Sequence, residues 1–427
     1  MTLESHLLSS LKPWLDAPAW RVAFSGGLDS TVLLHALVQL AGRHRFPPIS
    51  AIHIHHGLQS VADAWPEHCQ RFCRQLGVPL QVVHVQVAPG ASQERAAREA
   101  RYAAFASALE AGELLLTAQH RDDQAETLLF RLLRGSGVRG LSGMPESRVL
   151  GSGLLLRPLL AVGRAELEGW AAAHQLQWIN DPSNQCLDHS RNYLRHQVVP
   201  VLQQRWPQAS GNIARAAAHL GEAQSLLDEL AVMDLLAARA SSDWPWLPLP
   251  SLDLQILRSL SPARQRNALR HWLVPFTALP DTDHWAGWQS LRDAVADASP
   301  CWRLAGGELH RAGGRVWWLS GAWLEPVAGV FAWQDTSSAL MLPGNGLVRL
   351  EGARQGIFEV RYRQGGEAMC LPGRGRRDLK RLLNEVAVPG FARSRLPLLY
   401  LNGELIAVAN MPQLDVARAT LVWTPPA

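Results

Sequence analysis

Ser25-Gly26-Gly27-Leu28-Asp29-Ser30 lies between a short apolar run and a stretch with helical apolar spacing. Its residue types suit an anion. Glycines just past a strand let the chain turn tightly and expose consecutive backbone N–H groups, and a following helix adds its N-terminal amides. The hydroxyls of Ser25 and Ser30 can donate to phosphate oxygens, with Thr31 a weaker candidate. No lysine follows the glycines, which argues against a Walker A loop, and the pattern is not Gly-x-Gly-x-x-Gly, which disfavours a dinucleotide fingerprint. Asp29 would repel an anion unless it meets a cation, and Mg2+ bridging to phosphate gives it that purpose. The plain alternative is a tight turn with Asp29 capping the helix.

Asp122 and Asp123 follow another apolar run, at the strand end where parallel sheets usually place their chemistry. The two carboxylates can do different jobs, one of them facing a metal or phosphate, with His120 as a fallback proton acceptor. Helix capping and a favourable dipole interaction compete with that reading and are compatible with it. Arg134, Gly135 and Ser136 can complete a second phosphate-facing loop. Asp181, Asn184, Arg191, Asn192 and Arg195 form a polar cluster around a turn and helix. Near the other end, Arg374, Arg376, Arg377, Lys380 and Arg381 make a loop and first helical turn dense in cations, and their spacing places Arg377, Lys380 and Arg381 on one stripe. Such groups suit phosphates, which position RNA without reading its sequence.

The hexapeptide resembles the PP-loop of the N-type ATP pyrophosphatases, which split ATP between the α and β phosphates. The residues that follow narrow the likeness. His55-His56-Gly57-Leu58 ends the second strand and His120-Arg121-Asp122-Asp123-Gln124-Ala125-Glu126-Thr127 follows the fourth. Arg134-Gly135-Ser136-Gly137, Asp181-Pro182-Ser183-Asn184 and Arg191-Asn192-Tyr193-Leu194-Arg195 come next. Arg377-Asp378-Leu379-Lys380-Arg381, Val388-Pro389 and Pro397-Leu398-Leu399 complete the set. In that order, over nearly the whole chain, they resemble the tRNA(Ile)-lysidine synthetase family.

The resemblance implies a ligase that joins free L-lysine to C2 of cytidine 34 in the CAU anticodon of tRNA(Ile), through an adenylated cytidine. AMP and pyrophosphate leave, and the codon read changes from AUG to AUA. It implies ATP and Mg2+ as cofactors and a homodimer. Ser25, Gly26, Gly27, Leu28, Asp29 and Ser30 would grip the pyrophosphate, and His55 with Ala51 would lie near adenine and ribose. Of Asp122 and Asp123, one would hold the lysine ammonium or orient cytosine. Two carboxylates raise an amine's pKa, so a carboxylate there serves as orienter or proton acceptor. Arg98 and Arg101, three apart on one helix face, would face substrate; a solvent pairing of Arg98 with Glu94 is the alternative. For Asn184, Arg191, Asn192 and Arg195, organising the pocket and touching the anticodon stay equally open. Arg121 departs from the family, which usually carries a smaller or apolar residue there.

Other readings keep the loop but change the reaction. A PP-loop tRNA thiolase usually shows catalytic or cluster cysteines, and the five here are badly arranged for that. GMP and asparagine synthetases need an ammonia source, and no glutaminase-like nucleophile follows Met1. A non-catalytic ATP- and tRNA-binding protein would keep the ligands but not need the full set of acids.

These residues need a scaffold, and residues 20 to 200 supply its pattern. Apolar runs at 20–25, 49–57, 79–87, 113–120 and 154–160 alternate with longer helical stretches. Strands joined through helices require crossovers, so the expected fold is α/β: a Rossmann-like, mostly parallel sheet covered on both faces. A PP-loop catalytic domain over 1–207 is expected, then a linking helix and helical or mixed middle domain over 208–355. A basic α+β domain over 356–427 completes the expectation. It contains a helix at 378–388 and two strands turning at Asn402-Gly403.

Composition fits this picture. The apolar fraction of 47% with 18% charged residues describes a globular protein. No run of eighteen apolar residues appears, so no spanning helix is expected, and a cytoplasmic home is the default. Cys69, Cys73, Cys186, Cys301 and Cys370 read as reduced, partly buried thiols, which weighs against zinc or iron–sulfur. The net charge is only +4, but nine basic side chains and three acids lie between Arg361 and Arg395. A basic patch on a near-neutral body points to a docked polyanion. Trp317-Trp318 read as packing residues rather than base-stacking ones.

Overall fold

The computed structural model describes residues 2–426 except 58–59, 88–92, 240–243, 281–283, 296–297, 353–354, 372 and 417–418. Leu58 of the second motif lies outside the described residues, as does the side chain of Glu94. The described chain divides into two compact units, Met1–Leu226 and Leu227–Ala427.

In the first unit the strands are β1 (Trp20–Ala23), β2 (Ile49–His55), β3 (Leu80–His84), β4 (Leu114–Leu116), β5 (Ser147–Leu150) and β6 (Gly153–Leu156). The main helices are α1 (Leu3–Leu11), α2 (Leu28–Ala41), α3 (Trp65–Leu76), α4 (Gln93–Ala108) and α5 (Arg121–Leu132). After them come α6 (Val138–Leu141), α7 (Arg164–Ala173), α8 (Ser190–Tyr193), α9 (Val199–Arg205) and α10 (Ala209–Ala238), which runs on into the second unit. The sheet order is β3-β2-β1-β4-β6-β5, all parallel except the β5–β6 pair.

Both faces of this sheet are covered, which is why its strands read as unbroken apolar runs. Leu114, Leu116 and Leu156 enter one core with Trp20, Val22 and the buried leucines of α2. Leu115 and Leu155 point the other way, into a core with Ile52, Phe105 and Leu109. Strand order reverses direction between β1 and β4. The crevice beyond their C-terminal ends is where such sheets bind ligands.

Two expected strands are shorter than their apolar runs. The run 113–120 pairs only as far as Leu116, because Thr117–His120 leaves the sheet to start α5. The run 154–160 ends at Leu156, two residues before Pro158. The edge strand β5 was not expected. Arg148 and Val149 are exposed, so it carries no apolar run.

In the second unit, β7 (Ser251–Asp253), β8 (Cys301–Leu304), β9 (Gly307–Ala312) and β10 (Arg315–Leu319) form a sheet ordered β7-β10-β9-β8. It packs with α11 (Leu254–Ser259), α12 (Pro262–Leu273) and α13 (Trp285–Asp293), and Trp317 and Trp318 are buried as expected. The remaining strands are β11 (Val330–Trp333), β12 (Leu340–Met341), β13 (Leu347–Glu351), β14 (Phe358–Arg361), β15 (Ala368–Leu371), β16 (Gly375–Asp378), β17 (Leu398–Leu401), β18 (Glu404–Val408) and β19 (Thr420–Thr424). A boundary at 356 cuts through two of their sheets. β11 pairs with β14, and β13 pairs with β19, so the strands before 356 belong with the C-terminal ones. The β17–β18 turn falls at Asn402-Gly403, both with positive φ, as that dipeptide predicts.

The basic segment is a hairpin leading into α14 (Leu379–Glu385) rather than a loop. Arg376 and Arg377 sit in β16, on opposite faces, so Arg377 does not share a helix stripe with Lys380 and Arg381. Among the described residues no helix is long and apolar enough to cross a membrane.

Candidate active site

The turn after β1 is held by its own hydroxyls. Ser25 Oγ lies 3.0 Å from Ser30 Oγ and accepts from the Gly27 amide at 3.3 Å, while Ser30 donates to the Gly27 carbonyl at 3.1 Å. Gly26 adopts φ +82, where side chains are strained. A Cβ there would stand 2.6 Å from Ile179 Cδ1 and 3.0 Å from Cys69 Sγ. The Ile179 amide donates to the Gly26 carbonyl at 2.8 Å, closing the turn from below. Ile179, buried Cys69 and the two glycines together hold the loop's backbone in place. The N-cap of α2 is Gly27, so Asp29 is not the cap; it lies in the first helical turn.

Asp29 meets the other acids through one histidine. His120 caps α5 and is almost fully buried; its Nδ1 accepts from the Asp122 amide at 3.2 Å. An accepting Nδ1 puts the proton of a neutral ring on Nε2. That nitrogen lies 3.5 Å from Asp123 Oδ2 and 3.7 Å from Asp29 Oδ2. Asp123 also accepts the His120 amide at 3.1 Å, so the capping and site readings hold together. Arg195 closes the group, donating to Asp123 Oδ1 at 2.9 Å and to both oxygens of Glu126 at 2.6 and 2.9 Å. Asp122 turns away, with Oδ2 accepting the Arg164 amide at the start of α7 at 2.9 Å.

Burial pushes the Asp29 carboxyl up; the nearby Asp123 charge adds to this, and His120, Arg164 and Arg195 oppose it. Burial likewise pushes Glu126 up, against the pull of Arg195. Burial alone would lower Arg195, but its hydrogen bonds and charge pairing with Glu126, then Asp123 and Asp29, raise it. Asp29 Oδ1 is buried with no hydrogen-bond partner. An orphaned hard oxygen beside a phosphate-shaped turn fits Mg2+.

The other expected residues divide into two groups. Arg191 donates to Thr127, Asn192 spends its amide hydrogens on the Ser183 and Cys186 carbonyls, and Arg195 is committed as above. Of the two roles left open for them, these contacts favour organising the pocket from within. Asn184 is exposed, and its carbonyl lies 3.0 Å from His196 Nε2. Ala51 is buried in the core rather than at the rim. His55 does stand at the strand end, 3.3 Å from Asp63.

Arg98 and Arg134 are exposed, over the rings of Tyr102 at 4.8 Å and Phe130 at 4.2 Å. Arg101 is also exposed, and its charge holds down the pKa of His56, after burial the largest cause. Gly135 has φ +69 and open space around it. Arg121 spans to the Ala161 carbonyl at 3.5 Å.

Glu126 and Arg131 are the residues whose roles sequence reasoning missed. Arg131 ties the following loop by donating to the Gly140 and Gly143 carbonyls, each at 2.7 Å. A buried glutamate three residues after Asp123, on the same helix face, was the available signal for Glu126.

A hydroxyl-locked glycine turn after β1, facing acids that follow β4 across the switch point, defines a PP-loop, ATP-using α/β protein. Comparisons agree over nearly the whole chain. Residues 1–202 match the PP-loop domain family, 252–317 the TilS substrate binding domain and 358–419 the TilS substrate C-terminal domain. The tRNA(Ile)-lysidine synthase of Pseudomonas fluorescens is 65% identical over 97% of this chain and 94% of that protein. Those of Pseudomonas putida and Pseudomonas aeruginosa are 62% and 60% identical, over 98% and 99% of this chain and 98% and 97% of theirs. The chain belongs to the tRNA(Ile)-lysidine synthase family, and its PP-loop binds ATP.

The half-buried charge on Asp29 has a stability consequence. With its pKa raised above 3.8, folded protein holds a proton that the unfolded chain releases, so stability falls as pH rises from 3.8 to the raised value. Above that window the penalty is constant. Asp29→Asn should therefore melt higher than wild type at neutral pH, with the gap closing below pH 3.8, while pyrophosphate release is lost. Thermal melts across pH check this, and an equal or lower midpoint at neutral pH contradicts it.

Proposed function

We infer that the protein ligates L-lysine to C2 of cytidine 34 in the CAU anticodon of tRNA(Ile). The supporting observation is the pairing, at one switch point, of the Gly26 turn with the Asp29–His120–Asp123–Arg195–Glu126 group. In the first step the C2 oxygen of cytidine attacks the α phosphorus of ATP and pyrophosphate leaves. The amides of Gly26 and Gly27 and the hydroxyls of Ser25 and Ser30 take the charge that builds on the leaving phosphates. Asp29 would hold Mg2+, which when bound neutralises part of that charge.

In the second step the ε-amine of lysine attacks C2 and AMP leaves with the former carbonyl oxygen. Lysine docks by its ammonium against the carboxylates at the start of α5, Asp122 and Asp123. They raise its pKa, so one of them orients the amine and receives the proton as the C–N bond forms. His120, with Nε2 between two of the acids, keeps them apart and fixes their rotamers. A positioning role supports Arg191, Asn192 and Arg195 here, and a substrate-facing one supports the exposed Arg98, Arg101 and Arg134. His55 lies where adenine and ribose would be received, and the homodimer belongs to this reading through the family.

RNA is held mainly by charge. Arg374, Arg376, Arg377, Lys380 and Arg381 are all exposed on the β15–β16 hairpin and the first turn of α14. Of the five, Arg374 also pairs with Glu385 at 2.8 Å; the other basic residues of this segment are engaged as well: Arg361 with Glu359, Arg363 with Glu367, Arg393 with the Val388 carbonyl, and buried Arg395 with Asn345 and nearby carbonyls. The five exposed cations bind phosphates, and the wobble base is inserted separately into the catalytic crevice.

Incubation with ATP, Mg2+, labelled lysine and tRNA(Ile) bearing CAU should put label into the tRNA with one AMP and one pyrophosphate released for each lysine. Changing C34 should abolish it. ATP and tRNA binding without pyrophosphate release would favour a non-catalytic binder. Replacing Arg377 and Lys380 together by alanine should weaken tRNA binding about tenfold and reduce the salt slope by about 1.5. Unchanged affinity removes the hairpin from RNA binding.

A further inference from the structure

Three different metal-binding side chains meet on the β8–β9 hairpin of the second unit. Cys301 lies opposite His310, and Arg303 opposite Glu308, in the antiparallel register. Each pair is two residues from the other along its strand, so all four side chains share one face. Cys301 Sγ lies 3.2 Å from Glu308 Oε2, and His310 Nε2 lies 2.8 Å from the same oxygen. One ligand atom from each of Cys301, Glu308 and His310 falls within 4.8 Å of the others.

We propose that Cys301, Glu308 and His310 form a three-ligand site for a borderline-soft divalent cation of the zinc class, with water as the fourth ligand. Bonds of about 2.0–2.3 Å at tetrahedral angles put ligand atoms about 3.3–3.8 Å apart. The hydrogen-bonded spacing here is therefore slightly tighter than a loaded site, and it opens by less than 1 Å. A thiolate, an imidazole and one carboxylate select zinc over magnesium or calcium, which prefer all-oxygen sets.

The surroundings of the cluster support the site. Arg303 Nε donates to Glu308 Oε1 at 3.1 Å, which turns Oε2 toward the other two ligands. The His310 ring stands edge-on to Phe391 with centroids 5.7 Å apart, which fixes its plane. Cys301 is exposed, which leaves an entry path and room for water. A thiol binds such a cation as thiolate, so the Cys301 proton must leave when the cation takes its place. On binding, that proton goes to solvent and the ring proton of His310 moves from Nε2 to Nδ1. The cation would then clip the edge strand β8 to β9, within residues that match the substrate binding domain. Cysteine spacing could not reveal it, because two of the three ligands are not cysteines.

Full-length, untagged protein stripped with a chelator and titrated with Co2+ tests this. One equivalent should give a thiolate-to-cobalt charge-transfer band and the visible bands of a four-coordinate ion, and Zn2+ should displace both. Cys301→Ser and His310→Ala should each abolish the band while their metal-free melts match wild type. Arg303→Ala should weaken Co2+ binding about tenfold. No charge-transfer band in wild type overturns the site. So does an equal band in Cys301→Ser, which would assign the signal to another thiol such as Cys186 or Cys370.

Discussion

A half-buried carboxylate with one orphaned oxygen governs the catalytic unit. Asp29 sits in the first turn of α2, with one oxygen toward His120 and the other unbonded. Folding places it near Asp123, and burial makes its ionisation costly. Such an arrangement persists when the missing countercharge arrives with the ligand. The Gly26 turn beside it, pinned by Ile179 below and by Ser25 and Ser30 within, offers amides to an anion. In the proposed reaction anion and cation come together, as nucleotide phosphates with a metal do, and the acids behind them must be kept from repelling one another. His120, with a backbone amide on one nitrogen and two carboxylates near the other, does that. Arg195 does the same for Asp123 and Glu126.

The two units divide the work along lines that charge explains. Around the acids of the catalytic unit the cations are engaged: Arg131, Arg191 and Arg195 each hold loops or acids in place. In the basic segment of the second unit, five cations on one hairpin and helix start are left exposed, while Arg395 is buried in a network with Asn345. Buried arginines are bound by geometry and cannot leave for a phosphate without stranding their partners. Exposed ones can, and phosphate binding adds the free energy of released counterions.

Much of the fold could be read from apolar runs and turn residues. Parallel strands covered on both sides leave continuous apolar stretches, and Leu114–Leu116 or Gly153–Leu156 are legible for that reason. β5 has exposed positions on an edge, and β16 is four exposed residues rich in arginine; neither has an apolar run to read. The PP-loop and the acids after β4 were legible because their residue types are chemically unusual where they stand. Direction was harder. Nothing in Arg191, Asn192 or Arg195 as letters says whether they turn inward or toward RNA; that depends on Glu126 and on the carbonyls of Ser183 and Cys186, which only the folded chain brings close. The strand pairing that crosses 356 was illegible for a related reason, since β11 and β13 join partners that come later in the chain.

The central claim is that Asp29 waits for a cation carried by the triphosphate. A crystal structure with Mn2+ and a non-hydrolysable ATP analogue, measured at the manganese edge, tests it most directly. The account predicts an anomalous peak bonded to an Asp29 oxygen and to phosphate oxygens, with the β and γ phosphates on the Gly26 and Gly27 amides. Triphosphate lying elsewhere, or manganese bound with Asp29 still unbonded beside His120, would contradict it.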